Sequence, residues 1–110
     1  MAKINSIMTA QDFRTWRKGL KLKQKEAAHA LGLKSRMIQY YEKGERNGKK
    51  LYIPKSVGLA CWALSQNIID FDGRETIKRE EGQSLTKAVN QHAQAIKKQK
   101  KLLGKQGSFR

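Results

Sequence analysis

The sequence predicts an all-α protein: a bundle of four to five short helices followed by a basic C-terminal helical tail. Three observations carry that expectation. Apolar residues recur at helical spacing from Phe13 onward, as in Phe13, Trp16 and Leu20. The stretch QKEAAHALGLKSRMIQYYEKGE, Gln24 to Glu45, holds two short helical patterns, each closed by a glycine, with a three-residue joint between them. No segment reads as a convincing strand, and no internal repeat occurs.

The elements follow in chain order. Residues 1–8 read as a loose leader. Thr9 stands at an N-cap with Asp12 three residues on, a variant of the capping box, and Met8 and Phe13 occupy the hydrophobic-staple positions around it. The box begins immediately after Met8, so the sequence leaves open whether translation starts at Met1 or Met8. Phe13, Trp16 and Leu20 supply the buried stripe of this first helix, and Gly19 ends it. A second helix is expected from about Lys23 to Leu31, with Ala27, Ala28 and Leu31 inward and Gly32 just past its end, where a left-handed residue closes many helices. A third begins after Lys34 or Ser35, buries Met37, Ile38 and Tyr41, and stops at Gly44. GERNGKKLYIP reads as a basic loop, and Pro54 sits where the first turn of a helix tolerates proline. The fourth helix, about Pro54 to Gln66, is apolar nearly all round. Val57, Ala60, Cys61 and Leu64 line one side and Leu59, Trp62 and Ala63 the other, so it needs two partners.

Past NIIDFDG the composition shifts. Residues 74–110 hold 10 Lys+Arg and 3 Asp+Glu, which is +7 and leaves +8 for residues 1–73. Leu85, Val89, His92, Ile96, Gln99 and Leu103 form a short heptad-like seam, polar at His92 and Gln99, which suits a marginal helix that docks or pairs. The last residues, GKQGSFR, are expected to be disordered. The organisation is then a leader (1–8), a globular domain (9–73) and a basic tail (74–110).

Charge narrows the function. With 24 Lys+Arg against 9 Asp+Glu in 110 residues, the net charge of +15 opposes compaction and calls for an acidic partner, nucleic acid before an anionic membrane. The longest apolar stretch, VGLACWAL, is far short of the ~20 residues that span a bilayer, and the N-terminus lacks the apolar core of a signal peptide. A single cysteine, Cys61, forbids an internal disulfide and any zinc site built on paired cysteines; it reads as a small core residue. His29 and His92 stand without a cysteine or carboxylate cluster, so no metal and no cofactor is expected. No Ser/His/Asp or Cys/His arrangement, phosphate-cradling glycine loop or pair of carboxylates in an apolar setting suggests an enzyme. A soluble, cytoplasmic protein is the expectation.

Two helices joined by a turn that begins with glycine have the outline of a helix-turn-helix. Ala28 and Gly32 are read as small residues that let the pair approach closely, with Leu31, Leu33, Ile38 and Tyr41 locking it against the first helix. LKQKEAAHALGLKSRMIQYYEKGE resembles the Cro/phage-repressor (xenobiotic-response-element, XRE) family. That family's pattern is a glutamine followed by Glu two residues on, Ala four on, Gly eight on and Ile fourteen on. Gln24, Glu26, Ala28, Gly32 and Ile38 meet it, and Tyr41, Glu42 and Gly44 meet its aromatic-Glu-x-Gly ending. The resemblance spans roughly Met8 to Asn67, and YIPKSVGLACWAL also resembles a common fourth-helix sequence there. Three positions depart from the pattern: Ala27 stands for a leucine, and Lys34 and Met37 stand for Ser/Thr.

The resemblance implies a lambda-repressor-like fold whose third helix enters a major groove about 12 Å wide. It implies that Ser35, Arg36, Gln39 and Tyr40 read bases. Among these, Arg36 suits guanine O6 and N7, Gln39 an adenine edge or a phosphate, and Tyr40 a thymine methyl or a phosphate. Gln24 would meet a phosphate at the start of the second helix, and Lys34, Arg46, Lys49 and Lys50 would grip the backbone. Glu26 and Glu42 sit where the family uses them structurally, bonded to backbone or arginine. The expected partners are double-stranded DNA and a second copy of the chain, with Leu59, Trp62 and Ala63 as the dimer surface and the tail as a possible protein-binding segment. The expected function is a transcriptional regulator, a repressor on a pseudo-palindromic operator. Two rivals remain: an antitoxin that autoregulates its operon, and a general nucleic-acid binder working through the tail.

Overall fold

The computed structural model describes residues 7–105 of the chain. Three short helices come first: α1 (Ala10–Gly19), α2 (Gln24–Leu31) and α3 (Ser35–Lys43). A small hairpin follows, of β1 (Glu45–Arg46) and β2 (Lys49–Lys50), and then α4 (Lys55–Ser65). A second hairpin, β3 (Ile68–Phe71) and β4 (Thr76–Lys78), leads to the long α5 (Leu85–Lys105). The fold is mostly helical but not purely all-α, because both hairpins form two-stranded antiparallel sheets.

The sheets correct the expectation that the chain has no strand. The segment read as a basic loop closes as β1–β2, with Glu45 opposite Lys50 and Arg46 opposite Lys49. Asn47 (φ 55°) and Gly48 (φ 79°) both occupy the left-handed region, the backbone a two-residue hairpin turn requires. In the second hairpin the turn is organised by Asp72, whose carboxylate accepts from the Arg74 and Glu75 amides at 2.8 Å each. Those amide hydrogen bonds, Glu75 first, hold the Asp72 carboxyl below the usual carboxylate range. The composition shift at residue 73 therefore falls within a hairpin turn.

Local signals at the helix ends act as read. Thr9 and Asp12 exchange hydrogen bonds, Asp12 N to Thr9 Oγ1 at 3.0 Å and Thr9 N to Asp12 Oδ2 at 3.2 Å. Glu26 accepts from the Lys23 amide at 2.9 Å and closes the start of α2. Gly32 (φ 72°) and Gly44 (φ 83°) end α2 and α3 in the left-handed conformation. At Gly32 that backbone is the whole requirement: a Cβ there would meet nothing within 4 Å, so the reading that its small size admits a close helix approach is corrected.

Two apolar clusters hold these elements together. The first joins Phe13, Ala28, Ile38, Tyr41, Ile53 and Cys61, with Met8, Trp16, Leu31, Leu33, Met37, Leu51 and Val57 packed around them. Phe13 and Ile38 are wholly buried, each worth ~1.5–3 kcal/mol relative to exposure. The second joins Leu64, Ile69, Ala88 and Val89 and fastens β3 and α5 to the rest. Trp16 and Leu31 border both clusters, and the Trp16 indole donates to the Cys61 carbonyl at 2.8 Å. Cys61 is buried, which pushes its thiol up to about 12. The tail segment is thus a docked helix over its first half; it continues through Lys105, and residues 106–110 lie outside the described residues.

Candidate nucleic-acid interface

The position of α3 is fixed from its inner face. Ile38 and Tyr41 enter the first cluster, Tyr41 against Phe13 with ring centroids 5.8 Å apart. Glu42 is the one buried charged residue among the described residues, and its surroundings explain why it can be. Arg17 of α1 clasps the carboxylate with two nitrogens, Nε to Oε2 and Nη2 to Oε1, the second at 3.0 Å. Gln24 Nε2 of α2 donates to Oε1 at 3.1 Å. Arg17 Nη1 also holds the Leu22 carbonyl at 3.0 Å, and Arg14 donates to the Glu42 carbonyl. One carboxylate therefore ties α1, α2 and α3 together, and a bidentate guanidinium fixes direction as well as distance.

This network uses residues that sequence reading did not single out. Glu42 was expected to bond backbone or an arginine; Arg14 and Arg17 were not identified as the arginines. The available signal was their spacing, three apart on α1 beside Phe13 and Trp16, where two guanidiniums flank a buried stripe.

The outer face of α3 carries Ser35, Arg36 and Gln39, all exposed, with Lys34 exposed just before them. Arg36 joins no ion pair among the described residues. Tyr40 is half-buried and Arg46 of β1 lies over its ring, 5.0 Å from the centroid, with Arg46 Nη1 3.9 Å from Met37 Sδ. The hairpin therefore leans on the outer side of α3, and the Arg46–Lys49 pair brings two cations to its tip. Lys50 points over Tyr52, 5.4 Å from its ring centroid. Lys49 and Lys50 are exposed.

Not every expected contact residue faces outward. Gln24 is partly buried and spends its amide on Glu42, so its part in the structure is to hold α2 on α3. On α4, Leu59 and Trp62 are 60% and 62% exposed, whereas Ala63 is half-buried.

Cysteine, histidine and acidic side chains do not gather in a group of three that could hold a metal among the described residues. Within the same residues no helix is long and apolar enough to cross a membrane. His92 Nε2 meets Asp70 Oδ2 at 2.7 Å, and His29 Nδ1 lies 3.4 Å from Asn90 Oδ1. Both contacts fasten α5, the first to β3 and the second to α2. Comparison of the chain with protein-family models, with curated proteins and with solved structures finds no match.

Proposed function

We propose that the protein is a sequence-specific double-stranded DNA-binding regulator of the XRE helix-turn-helix type, acting as a repressor through a homodimer on a pseudo-palindromic site. The observation that carries this reading is the two-sidedness of α3. Its inner face is locked by Ile38, Tyr41 and the Glu42 network, while its N-terminal outer face presents Ser35, Arg36 and Gln39 to solvent between exposed cations. A rigid helix offering donors and acceptors from its first turns is what major-groove reading requires. Arg36 would pair with a guanine and Gln39 with an adjacent base, while Lys34, Arg46, Lys49 and Lys50 supply phosphate contacts that set affinity and salt dependence. Leu59 and Trp62 form the apolar face through which a second copy would place its own α3 about 34 Å away.

Selection of bound duplexes from a random DNA library tests the reading. Recovery of an inverted repeat, with two chains per recovered duplex by sizing, is the expected result. Recovery of unrelated sequences, or a single chain per duplex, would contradict it. Separating this function from general binding by the tail needs substitution rather than truncation. Removing residues 74–110 would take β4 and Val89 from the second cluster and unseat β3.

A further inference from the structure

We infer that the groove between α2 and α5 is a second DNA-backbone grip, in which Lys25, Lys97 and Lys100 hold phosphates beside those met by the recognition helix. The inference rests on the DNA-binding reading and extends it to a surface outside the helix-turn-helix.

The groove has a volume of about 680 Å³. One wall is Lys25, Ala28 and His29 of α2 with Gly32 just past its end; the other is the α5 stripe of Val89, His92, Ile96, Lys97 and Lys100. Each wall repeats at three- and four-residue steps, so each presents a single helix face. Lys25 stands in the first turn of α2, and the groove continues to Leu33, next to Lys34 at the start of α3. The α5 cations Lys97 and Lys100 therefore line the same groove as Leu33, which stands one residue before Lys34, the N-cap of α3.

Charge complementarity decides the occupant. No carboxylate side chain occurs after Glu81, so every lysine on α5 lies without an acidic side chain on its own helix. Lys25, Lys97 and Lys100 join no ion pair among the described residues. Asp70 is the one carboxylate lining the groove, and His92 holds it at 2.7 Å. A row of unneutralised lysines along an open groove fits a polyanion with regularly spaced charges, and the sugar-phosphate backbone is such a ligand. Its sugars would rest against the apolar lining and its phosphates against the ammonium groups.

The test compares two charge-matched variants of the full chain by measuring affinity for the selected duplex and for a random duplex across a salt series. In one, Lys25, Lys97 and Lys100 are changed to Gln; in the other, Lys18, Lys55 and Lys78, exposed and outside the groove, are changed to Gln. Glutamine keeps helix propensity, and circular dichroism checks that both variants fold. Loss of three phosphate contacts lowers the slope of log K against log salt by about 2 to 3 on both duplexes, with base preference unchanged. The control should lower it by less than about 1. An unchanged slope in the groove variant, or equal changes in both variants, would overturn the inference and leave base reading by α3 standing. A wild type that shows no base preference but loses slope in the groove variant alone would sink the regulator reading and support the grip. A wild type that binds no duplex would overturn both.

Discussion

The two apolar clusters hold their elements in different ways. The first packs Ile38 and Tyr41 of α3 among four buried residues from α1, α2, α4 and the segment before α4, and adds a buried ion network with defined direction. The second joins only Leu64, Ile69, Ala88 and Val89, with the partly exposed His92–Asp70 pair at its edge. One positions a helix in three dimensions; the other attaches a helix along part of its length. Beyond Val89 the α5 seam thins, until Leu102 and Leu103 are more than half exposed. The difference teaches that α3 is built to hold one orientation, whereas α5 is built to add charge at low structural commitment.

The largest expected effect comes from the ion network. Glu42→Ala leaves the Arg17 guanidinium mostly buried without its carboxylate, a loss of about 3–5 kcal/mol in stability by urea unfolding. If Glu42→Ala costs no more than an exposed ion pair, about 1 kcal/mol, the claim that this carboxylate fixes α3 fails.

Next come truncations within each cluster. Ile38→Ala opens a cavity in the first and should cost about 2–5 kcal/mol, accompanied by loss of DNA binding once α3 can shift. Val89→Ala removes less volume from the smaller cluster and should cost about 2 kcal/mol. Its amide-exchange signature should be confined to α5 and β3. Equal loss of protection in α3 would show that the two clusters unfold as one unit and that the contrast drawn between them is wrong.

The remaining effect is one of pH and is confined to alkaline solution. Burial raises the Cys61 thiol to about 12 from 9.0 in the unfolded chain, and burial also raises the Tyr41 hydroxyl above its usual 10.0. Below pH 9 both groups are protonated in either state and their contribution is fully present. As pH rises from 9 towards 12 the unfolded chain releases its protons first, so stability falls through that window. Unfolding midpoints measured from pH 8 to 11 should decline, and Cys61→Ala should flatten the first part of that decline. Alkylation of Cys61 at pH 8 should be slow in the native protein and fast in denaturant.

Much of the helical frame was legible because its signals are local. The Thr9–Asp12 box, Gly32, Gly44 and the 3.6-residue stripes each act within a few residues. The hairpins were missed for a physical reason: strands of two to four residues carry too few side chains to show alternation. Their turns nevertheless had signals, Asn47-Gly48 and Asp72-Gly73, of which Asn47, Gly48 and Gly73 supply left-handed backbone between strands. At the candidate interface, Ser35, Arg36 and Gln39 were named through the resemblance to the XRE helix-turn-helix pattern, and the structure has all three exposed. The inward turn of Gln24 could not be read in this way, because it depends on Arg17 and Glu42, 7 residues before it and 18 after, arriving at the same point. The docking of α5 on α2 is equally non-local, which is why a groove shared by Lys25 and Lys97 has no signature in the chain.

The central claim is that α3, held rigid from within, reads bases through Arg36. Its most direct test is the base preference of Arg36→Ala against wild type on the recovered site, at about 0.15 M salt where non-specific phosphate binding is weakened. The account predicts that the variant keeps the fold and the inverted repeat but loses discrimination at one symmetric position, by about 1–3 kcal/mol. An affinity that falls equally for every sequence, with the preference at each position intact, would make Arg36 one more phosphate contact and contradict the claim.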